Sequence, residues 1–282
     1  PQLTARETGM SYEFVIVERV GRVGIITLDR PNELNTLHPV QGREMREAVL
    51  ELDADPQIGA IVMTGSGRAF CAGADVSGWN RQAQAGEAGD SLAQRTRPRE
   101  GVVAESWAEI WRRVKPAVIA INGLAIGAGL TITLGADYRI ASERARLSMR
   151  FAAVGVMPEI QSTMLLPQLC GFSNAMDLMI SGEIIDAAHA LRVGMVNEVV
   201  PHEALRDRAI EKAAQYGRLH PDTTKAVKQL VWRNFLDADL AAVGKREIEA
   251  FIAAQRRPSH AEAARAFVEK REPDFYAAVE RG

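Results

Sequence analysis

Apolar and polar positions alternate from residue 12 to residue 29. Phe14, Ile16 and Glu18 alternate with Val15, Val17 and Arg19, and Gly21-Arg22 interrupts the run, which predicts a β-hairpin over 12–20 and 22–29. Pro31 ends the second strand. The period then lengthens: Met45, Val49 and Leu52 share one face of 39–54, the spacing of an amphipathic helix. An apolar strand follows at 58–64, completing a β-β-α unit. The pattern returns without a strict sequence repeat, as a helix over 104–114, a strand over 117–121, a helix over 130–136 and a strand over 138–142. Residues 76–101 differ: rich in Gly, Ala, Gln and Arg, with little periodicity, they read as a mobile loop or loose helix bordering a site. Beyond Ser173 the spacing is mostly helical, over 173–180, 186–192, 202–219, 221–235, 240–256 and 260–269. Asp186 and Ser259 suit N-caps and Pro221 suits a first helical turn. A last short strand, 196–200, stops at Pro201. The chain thus divides into a tail (1–10), an α/β part (11–205) and a helical part (206–282).

Residues 117–136 carry no charge and reach the length of a membrane span, and Gly123 and Gly127 form a GxxxG. The turn signal Asn122-Gly123 and the glycines 127, 129 and 135 argue against one continuous helix. The run reads as a buried strand, a tight loop and a buried helix, so no membrane partner is expected. Nor is it a dinucleotide fingerprint, because Ile132 stands where the third glycine would fall.

Composition excludes classes of function rather than naming one. The 282 residues carry 34 Lys+Arg against 36 Asp+Glu, a formal charge of −2, so nucleic-acid binding by net charge is not expected. Two cysteines cannot form a disulfide framework or a cysteine-based zinc site. Residues 1–9 lack the apolar region of a signal peptide, Met10 is a plausible natural start, and the expected location is cytoplasmic. The five histidines fall at helix starts or surfaces with no metal spacing, and no metal is expected. There is no GxSxG elbow and no P-loop, and Cys71 lacks an evident partner for nucleophilic work. Two small-residue loops remain, Gly65-Ser-Gly-Arg-Ala-Phe-Cys-Ala-Gly-Ala-Asp75 and Asn122-Gly-Leu-Ala-Ile-Gly-Ala-Gly129, each directly after a strand. Such loops let backbone approach a ligand, and two of them can aim two N–H groups at one oxygen, or can be structural turns only.

Ala69-Phe-Cys-Ala-Gly-Ala-Asp75, the run from Lys115 to Gly129, Ala136-Asp-Tyr-Arg-Ile-Ala141 and Gly194-Met-Val-Asn-Glu-Val-Val-Pro201 resemble the crotonase (enoyl-CoA hydratase/isomerase) family. Leu28-Asp-Arg-Pro-Asn-Glu-Leu-Asn35 resembles its early motif. The resemblance implies an α/β spiral of ββα units, a C-terminal helical trimerisation region, a homotrimer or hexamer, and an acyl-CoA thioester substrate. It implies no cofactor, CoA being part of the substrate. It places the two oxyanion-hole N–H groups on Ala72 and Ala128. The expected binding set is Glu33, Leu34, Ala72, Gly73, Ala74, Asp75, Gly127, Ala128, Thr131 and Phe151.

The resemblance also bears on the reaction. Hydratases of the family use two glutamates, and their positions here hold Thr131 and Phe151, neither of which works as a general acid or base at neutral pH. One carboxylate remains, Glu159, after Gly155-Val-Met-Pro158. This segment, through Ser162-Thr-Met-Leu-Leu-Pro167, is similar to peroxisomal-type Δ3,Δ2-enoyl-CoA isomerases, in which that glutamate is the base. The expectation is therefore an isomerase with Glu159, Ala72 and Ala128 as its catalytic set. The alternatives are an enoyl-CoA hydratase or another crotonase reaction, and a non-catalytic acyl-CoA-binding protein.

Overall fold

A computed structural model describes residues 6–7, 12–74 and 105–279. Asp75 and the 76–101 segment lie outside the described residues. Among the described residues, β1 (Arg6–Glu7), β2 (Val15–Val20), β3 (Val23–Leu28), β4 (Ala60–Gly65), β6 (Ala117–Ile121), β8 (Tyr138–Ser142) and β11 (Glu198–Val200) form a seven-stranded mixed sheet in that order. A second, four-stranded sheet has the order β10 (Ile185–Asp186), β9 (Arg146–Ser148), β7 (Leu124–Ile126), β5 (Ala69–Cys71).

The chain steps between the sheets. Each of β4, β6 and β8 in the first sheet is followed by β5, β7 or β9 in the second, and a helical or loop segment returns it. This is the spiral of ββα turns expected. The uncharged run 117–136 is not one helix but β6, β7 and a short helix.

Period-two alternation explains the first sheet's two faces. Ile26 and Leu28 of β3, Ile61 and Met63 of β4, and Ile119 and Ile121 of β6 join the main core. Val23 and Ile25, Ala60 and Val62, and Val118 and Ala120 face a second core. The strands read as continuous apolar runs because both faces are covered, as parallel neighbours require. The cover on the second face includes Leu205, Ala209 and Ala213, spaced four apart on the helix Leu205–Gly217. On the main core lies α1 (Pro39–Ala54), burying Met45, Ala48, Val49 and Leu52; His38 caps it, with Nδ1 accepting from the Val40 N–H at 3.3 Å.

Several boundaries differ from the sequence reading for local reasons. α2 is Trp107–Arg113 rather than 104–114, because Ser106 and Glu109 form a capping box that fixes its start. α3 is Ala128–Thr131, entered two residues early through Gly127 and ending in turns before residue 136. The helix α4 (Ser162–Cys170) was not anticipated and carries Pro167 in its interior. α5 (Phe172–Ser181) and α6 (Ala187–Arg192) follow, and Asp186 caps α6 by accepting from the His189 N–H at 2.7 Å. The helix Leu205–Gly217 above is α7, and α8 (Pro221–Asn234), α9 (Leu240–Gln255), α10 (Pro258–Glu269) and α11 (Phe275–Val279) complete the chain. Ser259 is not the α10 cap: Arg257 holds that position, Pro258 starts the helix, and Ser259 is buried inside its first turn.

Two ion pairs tie α8 to the last turn of α1 and to the residue before β8. Lys225 Nζ meets Asp53 at 2.8 Å, and Lys228 Nζ meets Asp137 at 2.6 Å. The same Asp137 carboxylate accepts the Ala117 N–H at 2.7 Å, so one side chain ties together helix and sheet.

Candidate active site

The two small-residue loops lie against one another at the C-terminal ends of β4 and β6. Two buried asparagines pin them. Asn35 Nδ2 donates to the carbonyls of Ser66 (3.0 Å) and Ala69 (2.8 Å). Asn122 Nδ2 donates to Gly67 (3.0 Å) and Ala69 (3.1 Å), and its Oδ1 accepts the Gly65 N–H at 3.2 Å. Both side chains answer backbone groups that no strand ladder satisfies, which is what a buried polar group must do. Neither was named as a site residue from sequence. An Asn at the end of an apolar strand, directly before Gly123, was the available signal.

Close packing of backbone explains the glycines. A Cβ on Gly129 would strike the Cys71 carbonyl, and one on Gly73 would come within 2.5 Å of the Ile126 oxygen and 3.6 Å of the Ala128 nitrogen. Gly73 has φ +86°, and Gly127 has φ +53° with ψ −122°, a region essentially closed to side chains. The Gly127 turn is held by its own N–H on the Ser148 carbonyl at 2.9 Å. It opens α3 with the Ala128 N–H directed away from the helix ladder.

The two expected donors are not equivalent. The Ala128 N–H has no acceptor among the described residues. The Ala72 N–H donates to the Leu34 carbonyl at 3.1 Å. Leu34 and Asn35 both hold left-handed backbone, with φ of 54° and 52°, and the Leu37 N–H donates to the Gly73 carbonyl at 2.8 Å. The turn containing Glu33 and Leu34 is thereby brought against Ala72 and Gly73. Glu33 is exposed on that turn, and Ala74 is half-buried. Asp75 lies outside the described residues.

Phe151 is buried, and its ring stands within 3.8 Å of a Cβ built on Gly127. It walls the loop that carries Ala128. Thr131 lies in the first turn of α3, next to that loop. It is fully buried, and its hydroxyl donates to the Ala128 carbonyl at 3.3 Å within the first turn of α3. Cys71 is fully buried and burial pushes its thiol up to about 12, which leaves it protonated and inert at neutral pH.

Glu159 sits on the connection between the short turn Ala152–Val154 and α4. Ile160 and Gln161, the next two residues, have φ of 53° and 52°. For β-branched Ile160 this is a costly conformation, of order 1–3 kcal/mol. Glu159 is exposed in the isolated chain, and its carboxylate makes no hydrogen bond or ion pair among the described residues. Its pKa is raised by desolvation. No cluster of His, Cys, Asp and Glu side chains suited to a metal occurs among the described residues. No helix among them is long and apolar enough to cross a membrane.

Comparison with known proteins places this geometry. Residues 18–278 match the profile of the enoyl-CoA hydratase/isomerase family. A probable enoyl-CoA hydratase of Mycobacterium tuberculosis is 34% identical over 269 residues, covering 94% of this chain and 99% of the relative. The 1,2-epoxyphenylacetyl-CoA isomerase of Escherichia coli is 31% identical over 268 residues, covering 93% and 98%. The crystal structure of a putative enoyl-CoA hydratase/isomerase from Mycobacterium abscessus superposes with a TM-score of 0.81 at 32% identity, covering 92% and 98%. The chain belongs to the enoyl-CoA hydratase/isomerase, or crotonase, family, and it has the α/β crotonase fold with two mixed sheets and a C-terminal helical region.

Proposed function

We propose that this crotonase-family enzyme shifts a double bond in an enoyl-CoA thioester, with Glu159 as the single base. The observation that carries the reading is the pairing of a carboxylate at 159, without a hydrogen bond or ion pair among the described residues, with non-ionisable side chains at 131 and 151. Abstraction of the C2 proton places negative charge on the thioester oxygen. Backbone donors aimed at that oxygen lower the barrier, and losing one such donor costs about 3 kcal/mol. The Ala128 N–H is open to receive it. The Ala72 N–H would exchange its long bond to the Leu34 carbonyl for one to the substrate. Glu159 then returns the proton at C4, and no water is consumed. Raising the glutamate pKa makes it a stronger base once ionised.

A second reading is hydration. It is supported by the names of relatives, including the Mycobacterium tuberculosis protein and a short-chain-enoyl-CoA hydratase of Clostridium acetobutylicum. It asks one carboxylate to activate water beside the apolar Phe151 wall. Supplying one preparation with a 3-enoyl-CoA and, separately, a 2-enoyl-CoA decides between them. The isomerase reading expects faster turnover of the first; faster hydration of the second replaces it with the alternative. Association into trimers or hexamers is part of the same proposal, supported by the exposed apolar side chains of Phe172, Ile180, Phe251 and Phe267 on the helices.

A further inference from the structure

The turn that carries Glu159 is closed by a backbone bond: the Ser162 N–H donates to the Glu159 carbonyl at 3.0 Å. Its two central residues, Ile160 (φ 53°) and Gln161 (φ 52°, ψ 18°), are both left-handed. That is the pattern of a type I′ turn, normally built from Gly and Asn, and neither stands here. A β-branched side chain in that conformation is strained, and such strain clusters where a site requires a set geometry. A turn of this class brings its first and fourth residues together, with Cα atoms less than about 7 Å apart and side chains beside one another.

The fourth residue, Ser162, opens α4 and shares the buried stripe of that helix with Leu165, Leu166 and Cys170. It is 1% exposed, and its hydroxyl has no hydrogen bond. Other fully buried hydroxyls are satisfied: Thr131 donates to the Ala128 carbonyl, Thr133 to Leu130 at 2.7 Å and Ser148 to Gly182 at 2.9 Å. At the first position of α4 no preceding helical turn offers Ser162 a carbonyl, and that of Glu159 already takes its N–H. A buried hydroxyl left alone is rare enough to need an explanation. Across the turn, the Glu159 carboxylate has no hydrogen bond or ion pair among the described residues either. Burial raises its pKa, and no neighbouring charge among the described residues acts on it. An unpaired donor and an unpaired acceptor thus stand three residues apart on one closed turn. Rotation of the glutamate side chain inward makes each the other's partner.

We propose that Ser162 is a positioning residue for the Glu159 base: with an enoyl-CoA in the site, the carboxylate turns inward across the 159–162 turn and accepts the Ser162 hydroxyl. This role rests on the isomerase reading above. The bond holds one carboxylate oxygen in place and leaves the other for the proton. It forms in the complex and not in the free chain, so its loss is read in the complex. A donated hydrogen bond favours the ionised carboxylate, and the pH profile of kcat reports groups in the complex, that of kcat/KM those of the free enzyme. Ser162→Ala, assayed with a 3-enoyl-CoA beside the parent chain and Glu159→Gln, tests this. The expected kcat is about tenfold lower with KM within about twofold of the parent. The acid limb of kcat should move up by about one pH unit while that of kcat/KM stays. The free hydroxyl has no partner to lose, so Ser162→Ala should melt no lower than the parent. An unchanged kcat and acid limb, with activity still lost in Glu159→Gln, overturn this role alone. A variant that melts well below the parent, or does not fold, marks a structural serine and also overturns it. Absence of isomerisation by the parent overturns the isomerase reading, and the role of Ser162 with it.

Discussion

At the scale of single residues, opposing effects on one group settle what it can do. Desolvation holds the Glu159 pKa above the ordinary glutamate value of about 4.3. A base must be ionised to act, so the acid limb of the kcat/KM profile should titrate above that value. A limb at or below it, measured with a 3-enoyl-CoA, would show that another group is the base. The sign for stability is opposite to the sign for activity. A carboxyl whose folded pKa is raised binds its proton more tightly when folded, so stability is lost as pH rises through the unfolded and then the folded pKa. Glu159→Gln should therefore melt no lower than the parent at pH 7, and the difference should shrink in acid. Gly127→Ala should do the reverse, because its φ of +53° with ψ −122° excludes a side chain. A loss of about 1–3 kcal/mol in chemical denaturation is expected, with kcat falling as the Ala128 N–H is displaced. Cys71, fully buried with its pKa near 12, should resist thiol reagents in the native protein at pH 8. The identities at 72, 128, 131, 151 and 159 were readable from the chain. What was not readable was how the backbone uses them. The Ala72–Leu34 bond and the inward Thr131 hydroxyl depend on left-handed residues at 34 and 35 and on the early start of α3, neither of which leaves a periodic trace.

At the scale of elements, long amphipathic stretches were legible and short ones were not. α1 and β6 follow directly from hydrophobic spacing. β5, β7 and β9 have three residues each, too few for alternation to be distinguished from chance, and with them the whole second sheet was missed. α4 was missed because Pro167 argues against a helix, yet it falls within an otherwise apolar helical run. The capping box Ser106-x-x-Glu109 was present in the sequence and marks the start of α2 more sharply than periodicity does. The attachment of α8 rests on charges that spacing alone does not pair. Lys228 is buried beside Asp137, and removing one partner leaves the other charge uncompensated, at a cost of about 3 kcal/mol. Lys228→Ala should lose stability by that amount in urea denaturation. A loss below 1 kcal/mol would mean that apolar packing, rather than the ion pair, holds α8.

At the scale of the whole molecule, balanced charge and few cysteines said little, because the oxygen-binding groups proposed here are backbone. The turns of small residues after β4 and β6 supply them, and the spiral topology is what brings those turns together. The exposed apolar side chains at Phe172, Ile180, Phe251 and Phe267 predict association. Sedimentation should give three or six chain masses, and a monomer at micromolar concentration would contradict this. The central claim is that one carboxylate moves one proton without water. The most direct measurement follows formation of the conjugated 2-enoyl-CoA from a 3-enoyl-CoA by absorbance, with the parent chain and Glu159→Gln side by side. Turnover by the parent is expected, with a loss of at least a hundredfold in the variant and CoA-thioester binding retained. Equal rates in the two proteins would contradict it.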